Sequence, residues 1–216
     1  MRQPSITALL IIIFTVLIQF PAYGSIQGGI QYSIPTDYSK LSEAELEARA
    51  KKYFYLAQKL DDRKINEDMT NALMLYTILQ RVNPENIDYC VKLGILYDQV
   101  DLDRYAKGNF SRAISINKTK PEPYFYFGEY YYASQSYRNA LKYYKKAYNT
   151  GYSKNYDLLY KMGDIYEKFG DTRSALKYLL EASSQNPNEE LDNKIKRIDL
   201  QNDVNKEYYS NTRIRG

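Results

Sequence analysis

The chain has 216 residues, 44% of them hydrophobic and 26% charged, enough for one domain with a sizeable core or for a short solenoid. Its 30 basic and 26 acidic side chains give a net +4, too weak a balance for a dedicated nucleic-acid binder, so no nucleic-acid partner is expected. There is no histidine and one cysteine, Cys90, which removes the usual general bases, nucleophiles and transition-metal ligands and rules out an internal disulfide.

In chain order, Arg2 precedes an apolar run from Thr7 to Phe20, followed by Pro21 and the small residues Ala22 and Gly24. This is the pattern of a secretory signal peptide, 1–24, with cleavage after Gly24 and export to a periplasmic or extracellular space. The alternative is an uncleaved membrane anchor at residues 7–20, although 14 residues fall short of the roughly 20 that span a hydrocarbon core. Without Arg2 the balance is 29 basic to 26 acidic. Residues 25–41 are rich in glycine, proline and polar side chains and read as a flexible leader. Ser42 and Glu45 form a capping box that starts a helix. From there to residue 208 the apolar residues keep helical spacing, with no alternating stretch of the kind a half-buried strand shows, so the class is all-α.

The helical region repeats. Gly94, Gly128 and Gly163 are 34 and 35 residues apart, and the columns Ala106/Ala140/Ala175, Phe110/Tyr144/Leu179 and Ala113/Ala147/Ala182 take the same two steps. One inserted residue between Ala147 and Gly163, in "NTGYSKN", explains the shared change of interval. An earlier copy survives in Ala72, Tyr76 and Pro84, and in Tyr53, Leu56 and Ala57 once three extra residues are placed in "DDRKINED". The units run over about 50–86, 87–120, 121–155 and 156–189. Leu191, Ile195 and Ile198 then make one apolar stripe on a capping helix, 190–208, which leaves a disordered tail at 209–216.

These units resemble tetratricopeptide repeats. In the last one, Gly163 and Tyr166 on helix A, Ala175, Leu179 and Ala182 on helix B, and Pro187 stand at the family's positions. The resemblance implies a right-handed superhelical solenoid of about four helix-turn-helix units plus the capping helix, with the A helices lining a concave groove. Gly163 is expected to let helix A approach Ala175, and Ala182 to admit the next helix. Lys118 and Tyr152 replace the terminal proline of the second and third units, and Leu79 replaces the last small residue of the first.

The resemblance further implies that helix A positions 2, 5, 9, 12 and 13 face a ligand. In this chain they are Lys51, Phe54 and Gln58; Asp88, Val91, Ile95, Asp98 and Gln99; Glu122, Phe125, Glu129, Tyr132 and Ala133; and Asp157, Tyr160, Asp164, Glu167 and Lys168. The set is acidic and aromatic, whereas the B helices carry Arg112, Arg138, Lys142, Lys145, Lys146, Arg173 and Lys177. A protein or peptide partner with basic and apolar side chains fits such a groove, although the same carboxylates also suit a plain solvated face. The Lys/Asn/Arg clamp with which some family members hold the carboxylate termini of heat-shock proteins is absent, since positions 5 and 9 hold Val91, Ile95, Phe125, Glu129, Tyr160 and Asp164.

No enzyme, cofactor or metal site is expected. Asp98, Asp101 and Asp103 lack the glycine and terminal glutamate of a calcium loop and read as helix-ending and capping residues. Within "PYFYFGEYYYA", Tyr131 takes a core position, Tyr132 the groove and Tyr130 the periphery. Cys90 reads as a small buried apolar residue. The leading function is an exported scaffold assisting bacterial cell-envelope assembly. The alternatives are a membrane-anchored subunit of a secretion or pilus-type machine and, from another class, a carboxylate-based hydrolase or glycan binder, with membrane contact expected only if the N-terminal segment is kept.

Overall fold

The computed structural model of the chain describes residue 38 and residues 40–59 and 66–213, with side chains to residue 203. The signal peptide, most of the leader and most of the loop assigned three extra residues lie outside the described residues. Nine α-helices follow one another among the described residues, with no strand: α1 Glu43–Lys59, α2 Glu67–Val82, α3 Ile87–Gln99, α4 Asp103–Ile116, α5 Pro121–Ala133, α6 Tyr137–Ala147, α7 Tyr156–Lys168, α8 Thr172–Gln185 and α9 Glu189–Arg213. They form two compact units, divided between Lys118 and Thr119. In the first, the hairpins α1/α2 and α3/α4 stack through α2 and α3. In the second, the hairpins α5/α6 and α7/α8 stack through α6 and α7, and α9 packs on α8.

Most of the helices start where the sequence supplies a side-chain cap. Ser42 and Glu45 make the expected reciprocal box: the Ser42 N–H donates to Glu45 Oε2 at 2.9 Å and the Glu45 N–H to Ser42 Oγ at 3.3 Å. Asn86, Asn155 and Asn188 accept backbone N–H groups at the starts of α3, α7 and α9, at 3.0, 2.8 and 2.9 Å. Lys120 takes that place before α5 with no side-chain bond, and Pro121 in the first turn presets the helical φ instead. The A helices of the last three units end alike. Asp101, Gln135 and Gly170 have φ of 57°, 56° and 75°, and the next residue's N–H reaches back to Tyr97, Tyr131 and Tyr166 at 2.9, 2.8 and 2.9 Å. This is the Schellman closure, which turns the chain sharply into the B helix. Asp101 therefore terminates α3, whereas the N-cap position of α4 is Leu102, which has no side-chain cap bond.

The repeating glycines mark where the helices of a hairpin touch. A Cβ at Gly94 would lie 2.6 Å from the Phe110 ring, at Gly128 2.4 Å from the Tyr144 ring, and at Gly163 2.6 Å from Leu179 Cγ. The space at Gly163 is taken first by Leu179, and the Ala175 carbonyl oxygen follows at 3.3 Å, so helix A does approach Ala175 as expected, with Leu179 the tighter neighbour. Ala182 does sit at the seam with the following helix, buried with Leu159, Leu179, Leu191 and Ile198. Leu191 and Ile198 are each 1% exposed, and their burial contributes about 2 kcal/mol apiece to holding α9 in place.

The inserted residue falls in the turn Tyr148–Tyr152 that follows α6, where the chain kinks at Gly151, whose φ of 144° is not helical and which faces the Pro121 ring. The tyrosine run of α5 departs from expectation: Tyr130 is buried at 4% exposure and Tyr131 is half-buried, because Tyr131 stacks outward on Tyr143 with its ring 5.5 Å away. Helix α9 continues to Arg213, past the expected start of a tail at residue 209. Cys90 is fully buried as expected, and burial raises its thiol pKa despite the Gln80 amide 3.1 Å from its sulfur.

Candidate functional site

In the second unit, the face assigned to a ligand carries a ladder of paired groups. It starts in α5, where the Tyr144 hydroxyl donates to Glu129 at 2.6 Å and Lys161, one repeat on, donates to the other oxygen of the same carboxylate. The Lys161 ammonium also lies 5.3 Å from the centre of the Tyr132 ring. The Tyr132 hydroxyl donates to Asp164 at 2.7 Å, and the other Asp164 oxygen accepts Lys194 of α9 at 2.9 Å. Lys194 reaches Glu167 at 3.2 Å and lies 4.8 Å from the centre of the Tyr160 ring, while Arg197 closes on Glu167 at 2.5 Å. Glu129, Asp164 and Glu167 are thus met by Lys161, Lys194 and Arg197, with Lys168 also 3.5 Å from Asp164.

The pairing sets the ionisation. Burial alone would raise Asp164, but the hydrogen bonds from Lys194 and Tyr132 outweigh it and hold the carboxyl below its usual value. Lys194 is the mirror case, where burial would lower the ammonium and the bond to Asp164 raises it instead. Burial, reinforced by the neighbouring carboxylate, pushes the Tyr132 and Tyr144 hydroxyls well above the ordinary tyrosine range. Asp164 and Lys194 are each 15% exposed, so removing either leaves a poorly solvated charge, at a cost of about 2 kcal/mol.

What stays open in this unit lies toward the N-terminal ends of the A helices. Asp157 is exposed, and Tyr160 is half-buried and stacks on Tyr156 with ring centres 6.1 Å apart. Glu122 is half-buried beside Tyr152, whose ring meets Phe125 edge-on at 5.7 Å. Phe125 itself, expected to line the groove, is only 9% exposed, because Tyr126, Tyr144 and Tyr152 pack around it.

The first unit presents a smaller set. Lys92 lies 4.5 Å from the centre of the half-buried Phe54 ring, and Gln58 donates to Gln99 at 2.7 Å, joining α1 to α3. Asp88 is exposed, Ile95 and Asp98 are half-buried, and Val91, at 2% exposure, belongs to the core rather than to a groove. The Tyr76 hydroxyl is buried and has no hydrogen-bond partner among the described residues. Its counterpart Tyr144 has Glu129 as acceptor, whereas the matching position here is Gln58, which is committed to Gln99.

The sequence reading missed the cations of the ladder, Lys161, Lys194 and Arg197. The signal was present as an offset: Glu129 to Lys161 and Tyr132 to Asp164 span 32 residues, and Asp164 to Lys194 and Glu167 to Arg197 span 30. Each is one repeat less about one helical turn, the step between facing positions on successive A helices. Among the described residues no group of three or more cysteine, aspartate or glutamate side chains is placed to hold a metal ion.

Hairpins of this length, with a small residue at each close approach and a capping helix on the last, define an α-helical repeat protein. No protein-family model matches the chain. A TPR repeat-containing protein of Methanocaldococcus jannaschii is 31% identical over 165 residues, covering 71% of this chain, which in turn spans 27% of that relative's length. Among solved structures, MamA of strain AMB-1 overlaps 77% of this chain and 87% of its own at TM-score 0.57 and 17% identity. PilF of Pseudomonas aeruginosa overlaps 74% of this chain and 72% of its own at TM-score 0.58 and 13% identity. Both are tetratricopeptide solenoids. The chain thus has the tetratricopeptide-repeat solenoid fold and resembles the TPR repeat-containing proteins.

Proposed function

We propose that the chain is an exported, non-enzymatic scaffold that holds a basic, partly apolar segment of another protein against its A-helix faces, in assembly at a bacterial cell envelope. The observation that supports this reading comes from the chain's own lysines. Lys92 sits over Phe54, Lys161 over Tyr132 beside Glu129, and Lys194 over Tyr160 between Asp164 and Glu167. An aromatic face beside a carboxylate is a lysine-binding arrangement; the second unit holds it twice, and the first unit repeats its aromatic half at Phe54. With the ladder carboxylates already paired, a ligand's cations would meet Asp157 and Glu122, and its apolar groups Tyr160 and Tyr126. The lowered Asp164 suits a fixed counter-charge rather than proton transfer.

A peptide array spanning acidic, neutral and lysine-rich aromatic sequences tests the specificity. Lysine-rich aromatic peptides are expected to be retained, and Asp157→Lys with Tyr160→Ala to weaken them by about tenfold or more, since a central aromatic anchor contributes on the order of 2 kcal/mol. Enrichment of acidic peptides, or affinity unchanged in the double variant, overturns the reading. Export rests on the first 24 residues. The mass of the N-terminus of protein purified from its native host is expected to begin at Ser25, and a chain still carrying Met1 would favour the anchored form instead.

A further inference from the structure

The B-helix side of the second unit carries a different chemistry. On α6, Arg138, Lys142 and Lys145 follow at helical spacings of four and three residues and share one exposed stripe, with Lys146 beside it. On α8 the same stripe holds Arg173, Lys177 and Leu180, and this leucine is 55% exposed. The two stripes rest on one bed of tyrosine rings. Lys145 of α6 lies 5.5 Å from the centre of Tyr166, Tyr166 stacks on Tyr178 at 5.5 Å, and Lys177 lies 4.9 Å from the centre of Tyr178. The nearby carboxylates are already engaged: Glu181 accepts the Tyr148 hydroxyl at 3.1 Å, and Asp171 caps α8 at Ser174.

We propose that this lysine–tyrosine face of α6 and α8 docks on an anionic lipid bilayer. The cations do not converge on a point, as they would to hold a discrete phosphate. They are spread along two helices on long stems, which matches the diffuse, mobile charge of a membrane surface. The tyrosines beneath them have apolar rings and wet tips, and exposed Leu180 stands within the basic stripe, the combination that settles at a headgroup boundary. On the export reading proposed above, the apolar run from Thr7 to Phe20 would bring the chain to a membrane whether or not it is cleaved. This surface is distinct from the A-helix face, so both can be occupied at once.

The test uses the full-length chain sedimented with vesicles of phosphatidylcholine alone and of phosphatidylcholine with phosphatidylglycerol. The N-terminal apolar segment adds equally to both, so the readout is the excess on anionic vesicles. Wild type is expected to show a large excess that falls as salt rises, and Lys142→Gln with Lys145→Gln and Lys177→Gln to lose it by about 100-fold, on the order of fivefold per lysine. The matched variant Lys52→Gln, Lys59→Gln and Arg104→Gln removes the same charge from the first unit and is expected to keep it. All six positions are exposed, and an unchanged circular-dichroism melt verifies that each triple variant folds. Equal retention on both vesicles, equal loss in the two triple variants, or an excess that survives in the α6/α8 variant overturns the proposal. Soluble polygalacturonate that binds wild type while anionic vesicles do not would assign the face to an acidic polymer instead.

Discussion

Gly128 and Tyr144 show how one missing side chain fixes a hairpin. The Tyr144 ring fills the place of a Cβ at 2.4 Å and cannot move freely, because its hydroxyl is held by Glu129 at 2.6 Å. Gly128→Ala is therefore expected to destabilise the protein by about 1–3 kcal/mol in urea melts, and pairing it with Tyr144→Leu to give less loss than the two single changes added together. Strict additivity would mean the contact does not decide the packing. The left-handed turn residues work in the opposite direction. Gln135 and Asp101 hold a conformation that costs a residue with a Cβ about 1–2 kcal/mol, so Gln135→Gly is expected to stabilise by about 0.5 kcal/mol after the entropy of glycine is subtracted. Gly170→Ala should lose about 1 kcal/mol. The glycine columns were legible in the sequence because only a small residue recurs at a close approach. The turn column was not, since Gln gives no sign of positive φ, Asp only a weak one, and Gly170 alone marks it.

At the scale of elements, α9 is attached by an apolar stripe and an ionic edge, and the sequence showed only the first. Leu191, Ile195 and Ile198 are visible as a period; Lys194 and Arg197 become meaningful only when the next-door helix is in place one repeat earlier. The edge has a pH signature. Asp164 is lowered on folding, so its contribution is fully present above the unfolded value near 3.8 and is lost as pH falls through the lower folded value. Lys194 is raised, so its contribution is full below the unfolded value near 10.5 and is lost as pH rises through the folded one. The stability advantage of wild type over Asp164→Asn, by urea denaturation, is expected to be about 2 kcal/mol near neutral pH and to shrink progressively as pH falls below the unfolded value. An advantage that does not change over that range would assign it to packing rather than charge.

Across the molecule, contacts are made mainly between neighbours in sequence, which predicts local failure. Gly94→Ala should speed amide exchange in α3 and α4, and Gly163→Ala in α7 to α9, each leaving the other compact unit close to wild type; uniform acceleration would contradict a chain of nearest-neighbour contacts. The all-α class and the four hairpins were legible because repetition is a property of the sequence itself. The ligand face was legible only in outline: Val91 and Phe125 hold groove positions by count but are buried by their neighbours. One further consequence belongs to the kinked turn at Tyr148–Tyr152. By taking up a supernumerary residue in one kinked turn, it keeps the later columns in phase, much as an expansion joint isolates one span of a bridge from the next. The segment 121–155 carries that joint together with its own opening proline and ends on the asparagine that caps the following helix. Tandem duplication of those 35 residues should therefore lengthen the array by one hairpin with the columns in phase, at the cost of the first copy's bond from Lys161 to Glu129.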